Sequence, residues 1–330
     1  MNLTTTYLGL KLANPLLPGA SPLVDNMDSV RRLQDAGAPA IVMHSLYAEQ
    51  LEGNAVAFDR HLGRWQDSFA EATTMFPETG DYRLGPDEYL ERLGCIKRVT
   101  GLPVIASLNG NQPGSWTDYA KLMEQAGADA IELNTYFLAT QMSVSGPDLE
   151  QRLMDIVRAV RSNVRIPIAV KLSSFYTSVA HLAGGLEKEK VDGLVLFNRF
   201  FQPEIDTETL EVRPHLDLST AEDLRLRLRW LGLLRDQVKL NLSCSGGVQR
   251  SDDVVKAILA GADTVQTVAA LLRHGPGEFA RLLAGLRQWM EEHEYDSVTK
   301  MRGALSLKRC ADPEAYERGN YLRSMQLWRE

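Results

Sequence analysis

A lysine and three asparagines stand at or just after the ends of apolar runs in this sequence. Lys171, Asn109, Asn134 and Asn198 each occupy such a position. An ammonium group stabilises nearby negative charge, and amides offer both hydrogen-bond donors and acceptors. These residue types would suit a planar, polar ligand if the fold brings them together. The structural alternatives are that Lys171 extends its ammonium to solvent and that the asparagines cap helices.

A pair of glycines, Gly246 and Gly247, follows another apolar run and precedes a helical pattern over 251–260. Glycine has no Cβ, so a paired-glycine turn lets backbone N–H groups approach an anion. The pair therefore predicts a phosphate site, and the alternative is an ordinary tight turn. The position of the glycine pair in the whole fold distinguishes a phosphate site from a tight turn.

Strand-like apolar runs alternate with helical periodicity along the chain, which is typical of a parallel α/β sheet. The predicted strands are 14–18, 40–43, 103–108, 130–134, 166–172, 193–197, 238–242 and 262–267. The predicted helices are one capped by Asn26 or Asp28, then 86–100, 115–126, 146–161, 179–190, one capped by Ser219 and ending at 235, 251–260 and 277–292. This alternation predicts a (β/α)8 TIM barrel, with the glycine pair after the seventh strand.

We expect the barrel to cover residues 1–295, with insertions at about 46–85 and 198–217. Long loops within such barrels are usually functional. A charged tail follows over 296–330, and we expect it to pack on the barrel or on a neighbouring subunit.

Active sites of TIM barrels lie at the carboxyl ends of the strands, and the loops after strands seven and eight commonly bind phosphate. The predicted mouth holds Ala20, Ser21, His44, Ser45, Asn109, Asn134, Lys171, Asn198, Gly246, Gly247, Val268 and Ala269. Such a set suits a planar cofactor with a phosphate tail, such as a flavin, whose reduced ring a lysine can stabilise. His44 is the candidate general base, and a core histidine is its structural alternative.

Composition narrows the class of protein. The net charge of −7 argues against nucleic acid or an anionic membrane as the main partner. Three scattered cysteines predict neither a disulfide framework nor a metal site. The first residues lack the pattern of a signal peptide, so we expect a cytoplasmic protein with a small-molecule substrate.

Several motifs resemble those of the dihydroorotate dehydrogenase family, over nearly the whole chain up to about residue 295. The more specific ones are Glu132-Leu133-Asn134 and Val170-Lys171-Leu172, and the others lie at 12–15, 44–54, 198, 245–247 and 261–266. The resemblance implies an FMN-dependent (β/α)8 barrel of pyrimidine biosynthesis. Such enzymes oxidise a carbon–carbon single bond beside a carbonyl, with hydride transfer to the flavin. It also implies a homodimer and an electron-transfer partner protein.

The resemblance also implies roles for individual residues. Those that would line the flavin ring are Ala20, Ser21, Ser45, Asn109, Asn134 and Lys171. Those that would hold the phosphate are Gly246, Gly247, Val268 and Ala269. Asn134 and Asn198 would face the substrate, with Arg199 beside them.

The sequence departs from the family pattern where chemistry depends on it. Phe137 occupies the place of the catalytic cysteine or serine, and a phenyl ring cannot accept a proton. Val268 and Ala269 replace a Gly-Thr pair, so the phosphate turn lacks a hydroxyl. The substitute bases on offer are Tyr136, Ser143, Ser145 and His44.

The sequence thus favours a flavin-dependent oxidoreductase acting on dihydroorotate or a related planar cyclic amide or carboxylate. One alternative is a flavoprotein of the same fold with a different substrate or no turnover. Another is a Schiff-base aldolase or lyase that uses Lys171 as its nucleophile.

Overall fold

The computed structural model describes residues 1–47, 85–109, 113–135, 137–199, 202–215, 217–317 and 319–326. Most of the predicted insertion at 46–85 lies outside these ranges, and so does Tyr136, one of the candidate bases.

The strands form one large parallel sheet and two antiparallel hairpins. In chain order they are β1 (Thr5–Tyr7), β2 (Leu10–Leu12), β3 (Leu16–Pro18), β4 (Ile41–Tyr47), β5 (Val104–Asn109), β6 (Ala130–Asn134), β7 (Ile168–Leu172), β8 (Gly193–Leu196), β9 (Pro203–Asp206), β10 (Glu211–Pro214), β11 (Asn241–Ser245) and β12 (Thr264–Thr267). The large sheet has eight strands in the order β3-β12-β11-β8-β7-β6-β5-β4. Because β3 also contacts β4, the two ends of the sheet meet, and the predicted (β/α)8 barrel is confirmed.

Helices cover the outside of this sheet, which explains why its strands are apolar on both faces. Those described are α1 (Met27–Asp35), α2 (Pro86–Thr100), α3 (Pro113–Gln125), α4 (Gly146–Arg161), α5 (Val179–Lys188), α6 (Leu224–Leu234), α7 (Ser251–Ala260), α8 (Ala269–His274), α9 (Glu278–Glu292), α10 (Val298–Met301) and α11 (Gly319–Gln326). None of these described helices has both the length and the apolar character needed to cross a membrane.

The first helix begins at the predicted cap. The Asn26 side chain accepts hydrogen bonds from the backbone N–H groups of Asp28 and Ser29, at 2.8 and 3.4 Å. Replacing Asn26 by alanine should lower the free energy of unfolding by about 1 kcal/mol, because these N–H groups lose their acceptor. Urea unfolding of Asn26→Ala measures the loss, and Asn26→Ser should retain most of the stability. An equal loss in both variants would show that the cap contributes nothing.

The amino-terminal end of the barrel is closed by the β1–β2 hairpin, which the sequence did not predict. Its residues Tyr7, Leu8 and Leu12 pack against small apolar side chains that line the barrel interior. The Leu8 N–H donates to Asn241 Oδ1 at 2.9 Å, and Thr5 Oγ1 donates to the carbonyl of Asp263 at 3.1 Å. With this end plugged, ligands reach the interior from the carboxyl ends of the strands.

Residues after 295 contact the same end. Asn2 bridges to Ser297, and the N–H of Gly303 donates to the carbonyl of Ile258. The buried Asp263 carboxylate accepts from Arg302 Nη1 at 2.5 Å and from Arg235 Nη1 at 3.0 Å. This carboxylate therefore links the chain after residue 295 to the last barrel strand.

The boundary predicted for the seventh barrel strand was wrong. The seventh barrel strand is β11 rather than 238–242, so Cys244 and Ser245 belong to the strand and not to the turn. Its residues pair with β8 on one side and β12 on the other, which sets the register. The second predicted insertion contains the β9–β10 hairpin, which the sequence did not indicate.

Candidate active site

Polar side chains of neighbouring strands meet at the carboxyl end of the barrel. Ser45 of β4 lies opposite Ser107 of β5, Asn109 lies opposite Asn134, and Asn134 lies opposite Lys171. Residues paired across parallel strands point to the same face. Because alternate residues of a barrel strand face its interior, these side chains share the inner face of the mouth.

A buried ion pair lies below the mouth. Lys171 Nζ donates to Glu132 Oε1 at 3.2 Å, and Gln266 Nε2 donates to Glu132 Oε2 at 2.7 Å. Lys171 is 7% exposed and Glu132 is 1% exposed, so water hardly screens this pair. Tyr7 enters the same interior from the plugged end of the barrel. Its burial, and secondly the charge of Glu132, raise the pKa of the Tyr7 hydroxyl well above its usual value. The ammonium is thus fixed at a definite place in the interior.

A chain of hydrogen bonds runs above the ion pair. Asn198 Nδ2 donates to Asn134 Oδ1 at 2.5 Å, and Asn134 Nδ2 donates to Ser45 Oγ at 3.0 Å. Ser45 Oγ lies 2.8 Å from Ser107 Oγ. Asn134 and Asn198 therefore hydrogen-bond to each other across the mouth. The alternative, that these two asparagines cap helices, does not describe their contacts.

His44 makes its described contacts outside this chain. The register of β4 shifts between Val42 and Ser45, so the strand carries an irregularity at His44. His44 Nδ1 lies 2.7 Å from Asp25 Oδ1, at angles that do not fit a hydrogen bond. The imidazole meets the Tyr89 ring edge-on, with 5.2 Å between ring centroids. The structure therefore places His44 beside a carboxylate, and not in contact with Asn134 or Lys171.

The glycine turn follows the seventh strand, as predicted. Gly246 and Gly247 have φ values of +94° and +84°, which favour glycine. A Cβ on Gly247 would lie 2.3 Å from the backbone nitrogen of Leu224, where α6 begins. Ser219, predicted to cap that helix, does not do so: its Oγ accepts from the Gly247 N–H at 3.2 Å. Ser219 thus brings a hydroxyl to the turn from another loop.

The other predicted cofactor residues surround the first and last barrel strands. The Gly19 N–H donates to the carbonyl of Thr267 at 3.1 Å, so Ala20 and Ser21 begin beside the end of β12. Val268 stands just before α8, and a Cβ on Gly19 would lie 2.8 Å from its Cγ2. Ala269 is the first residue of α8.

The loop after β6 carries Phe137 and two of the candidate bases, Ser143 and Ser145. Phe137 is partly buried, and the guanidinium of Arg152 lies 4.6 Å from its ring centroid. Ser145 caps α4, and its Oγ donates to Asp148 Oδ2 at 2.6 Å. Ser143 is exposed. No described residue of this loop therefore presents an activated hydroxyl to Asn134.

Arg199 lies at the rim of the mouth. Its backbone N–H donates to Asn198 Oδ1 at 2.9 Å, and its Nη1 lies 3.2 Å from Asp223 Oδ2. The Arg199 backbone thus lies next to the Asn134–Asn198 pair, and its guanidinium is paired with a carboxylate.

Cys244 is excluded as a base by its burial. Burial raises the pKa of its thiol to about 12, although the charge of Arg227 opposes this in part. We expect iodoacetamide at pH 8 to leave Cys244 unmodified in the folded protein, because only the thiolate reacts. Cys95 and Cys310 are partly exposed and should react first. Peptide mass spectrometry with and without urea measures this, and native modification of Cys244 would contradict the assigned burial.

Sequence reasoning missed four residues that the structure adds to the site. These are Glu132, Gln266, Ser219 and Arg227. A glutamate inside the apolar run 130–134 was a usable signal, since a charge in a buried strand needs a partner.

Comparison with known proteins identifies the family of this chain. A model of the dihydroorotate dehydrogenase family matches residues 2–290. The chain belongs to the dihydroorotate dehydrogenase family.

Three relatives illustrate the family. The catalytic subunit of dihydroorotate dehydrogenase B (NAD+) from Thermoplasma volcanium is 28% identical, over 93% of this chain and 99% of that protein. The same subunit from Endomicrobium trichonymphae is 26% identical, over 94% and 99% of the two chains. The PreA subunit of NAD-dependent dihydropyrimidine dehydrogenase from Escherichia coli K12 is 22% identical, over 92% of this chain and 76% of that one. These relatives thus include dihydroorotate dehydrogenases and a dihydropyrimidine dehydrogenase.

The residues present fit FMN, the cofactor that the resemblance implies. Gln266 Oε1 is buried without a hydrogen-bond partner among the described residues, and a ring N–H would satisfy it. Lys171 supplies a fixed cation in the same interior. A Cβ on Gly247 would meet the backbone of Leu224, so only glycine fits this position of the turn. The donors and acceptors suit a planar ring with a phosphate tail.

Proposed function

We propose that this protein is an FMN-dependent oxidoreductase that oxidises a carbon–carbon single bond of dihydroorotate or a related planar cyclic amide or carboxylate. The observation that carries the proposal is the buried Lys171–Glu132–Gln266 group directly below the Asn134–Asn198 pair. A fixed cation under a row of amides suits a ring that becomes negatively charged on reduction. Family membership supports the same class of reaction.

Each group has a defined task in this proposal. A bound FMN would supply the acceptor for the hydride that leaves the substrate. Lys171 stabilises negative charge next to its ammonium, and Glu132 with Gln266 keeps that ammonium in place. Asn134 and Asn198 orient the polar ring of the substrate through amide hydrogen bonds. Arg199 provides a positive charge at the rim for a substrate carboxylate.

The proton acceptor is where this chain departs from the family pattern. With Phe137 in the family position, the base has to come from another residue. We assign it to His44, because an imidazole nitrogen can accept a proton and the Asp25 carboxylate lies 2.7 Å from Nδ1. A water molecule would have to connect His44 to a substrate held by Asn134.

The Schiff-base alternative is disfavoured by the same ion pair. An aldolase lysine attacks a carbonyl with the lone pair of a neutral amine. Lys171 Nζ instead donates to a buried carboxylate, so the nitrogen is engaged in an ion pair rather than directed at a substrate carbonyl. We therefore assign Lys171 an electrostatic role.

An anaerobic titration tests the proposal. The purified protein should carry, or take up, a yellow flavin, and dihydroorotate should bleach it. Dihydrouracil is the matched second substrate, since it lacks the carboxylate. Arg199→Gln should slow bleaching by dihydroorotate about 10- to 100-fold and leave dihydrouracil unaffected. A protein that cannot be loaded with FMN would refute the proposal, and a flavoprotein that neither compound bleaches would refute the substrate.

We also propose that the protein is a cytoplasmic homodimer that passes its electrons to a partner protein. A relative named as a catalytic subunit supports the existence of such a partner. Light scattering of the purified chain, and reoxidation of reduced flavin with and without cell extract, would test the two parts separately.

A further inference from the structure

A buried arginine stands behind the glycine turn. Arg227 lies on α6 and is 7% exposed. Its Nε donates to the carbonyl of Ser245 at 3.0 Å, and its Nη1 donates to the carbonyl of Asp223 at 2.8 Å. A Cβ on Gly246 would lie 3.0 Å from its Nη2. The guanidinium is thus directly adjacent to the turn that follows the seventh strand.

This charge has no ion-pair partner among the described residues. Both of its hydrogen bonds end on neutral carbonyl groups. The Asp223 carboxylate is engaged by Arg199 Nη1 and by the N–H of Thr220. Burial lowers the pKa of Arg227, the charge of Asp223 opposes this in part, and arginine stays protonated in proteins. A buried charge without a counter-charge is unfavourable unless a ligand supplies one.

The surroundings favour an anion at this point. Helix α6 begins at Leu224, against Gly247, so the positive end of its dipole lies at the turn. The Asp253 carboxylate, on α7 after the turn, accepts from the N–H groups of Gln249 and Arg250. Among the described residues, neither Asp223 nor Asp253 thus forms an ion pair with the Arg227 guanidinium.

We propose that Arg227 is the charged partner of the phosphate group of the bound ligand at the Gly246–Gly247 turn. The inference rests on the proposed FMN and adds to it a residue outside the glycine turn. In this chain Val268 and Ala269 bring no hydroxyl to the phosphate site, and Arg227 supplies charge in its place.

Comparing FMN with riboflavin, which lacks the phosphate, isolates this role. Arg227→Gln should raise the dissociation constant of FMN about 10- to 100-fold and that of riboflavin less than about twofold. Arg227→Lys should fall between the two. The matched control is Arg235→Gln, which replaces a partly buried arginine just after the same helix that pairs with Asp263, and it should leave the FMN-to-riboflavin ratio unchanged.

A second variant changes the ratio in the opposite direction. Asp223→Asn removes a partly exposed negative charge near Arg227, so FMN should bind more tightly relative to riboflavin. Asp223→Asn therefore still tests the role of Arg227 if Arg227→Gln does not fold. As a probe without flavin, inorganic phosphate should raise the melting temperature of the parent protein and not that of Arg227→Gln.

The outcomes are separable. If the parent protein binds neither flavin, the proposed function fails, and an absent response to phosphate would overturn Arg227 as well. If FMN binds but Arg227→Gln weakens FMN and riboflavin equally, Arg227 is merely structural and the inference is wrong. An unchanged ratio in Asp223→Asn would also count against it.

Discussion

Replacing Lys171 by methionine is expected to lower the free energy of unfolding by about 3–5 kcal/mol. The substitution leaves the Glu132 carboxylate buried, with Gln266 as its remaining side-chain donor among the described residues. A buried charge that loses its partner retains its desolvation penalty without the compensating attraction. Urea unfolding of the cofactor-free protein, with the midpoint and slope both fitted, measures the change.

The double variant Lys171→Met with Glu132→Gln separates stability from chemistry. Glutamine removes the buried charge at nearly constant volume, so most of the lost stability should return. Flavin reduction by the substrate should stay about 10²–10³-fold slower in both variants, because the cation next to the ring is absent. If the double variant recovered the reduction rate, Lys171 would not have the proposed electrostatic role.

Replacing Gly247 by alanine is expected to lower the free energy of unfolding by about 3 kcal/mol. Two effects combine: the residue has a φ of +84°, and its Cβ would lie 2.3 Å from the backbone nitrogen of Leu224. The amino-terminal end of α6 must then move, which displaces Arg227 three residues later on the same helix. FMN binding should weaken together with stability.

Gly9→Ala is the matched control. Gly9 has a similar φ of +73°, but a Cβ there would meet no atom within 4 Å. It should lose only the conformational part, about 1 kcal/mol, and leave flavin binding unchanged. If the two variants were equally destabilised, the close approach of Gly247 to α6 would have no energetic importance.

The sequence predicted the barrel because its apolar runs and helical repeats alternate regularly, and parallel strands covered on both faces read as continuous apolar runs. It predicted Lys171, Asn134 and Asn198 for a related reason: a polar residue that ends such a run lies at the mouth of the barrel. These positions depend on local pattern alone. The structure adds that they are joined by hydrogen bonds or lie on paired strands.

Other parts depended on contacts between distant residues. Cys244 and Ser245 read as the start of the glycine turn, yet they belong to the strand, since β12 pairs with both and β8 pairs with Cys244. Arg225, Arg227 and Arg229 alternate with leucines in α6, and the sequence does not distinguish the one that faces the barrel. Only the packed helix identifies Arg227 as the buried member.

The pairing of β3 with β12 has a consequence for the order in which the protein is made. The first barrel strand ends at Pro18, and its partner begins at Thr264, so almost the whole chain must be synthesised before the two can meet. Until then β3 has an unpaired edge on the side that β12 later covers, and such edges favour association with other chains. Pairing over so long a separation also slows folding. A ribosome-bound chain that stops before residue 264 should therefore depend on chaperones, and release from them should follow the synthesis of β12.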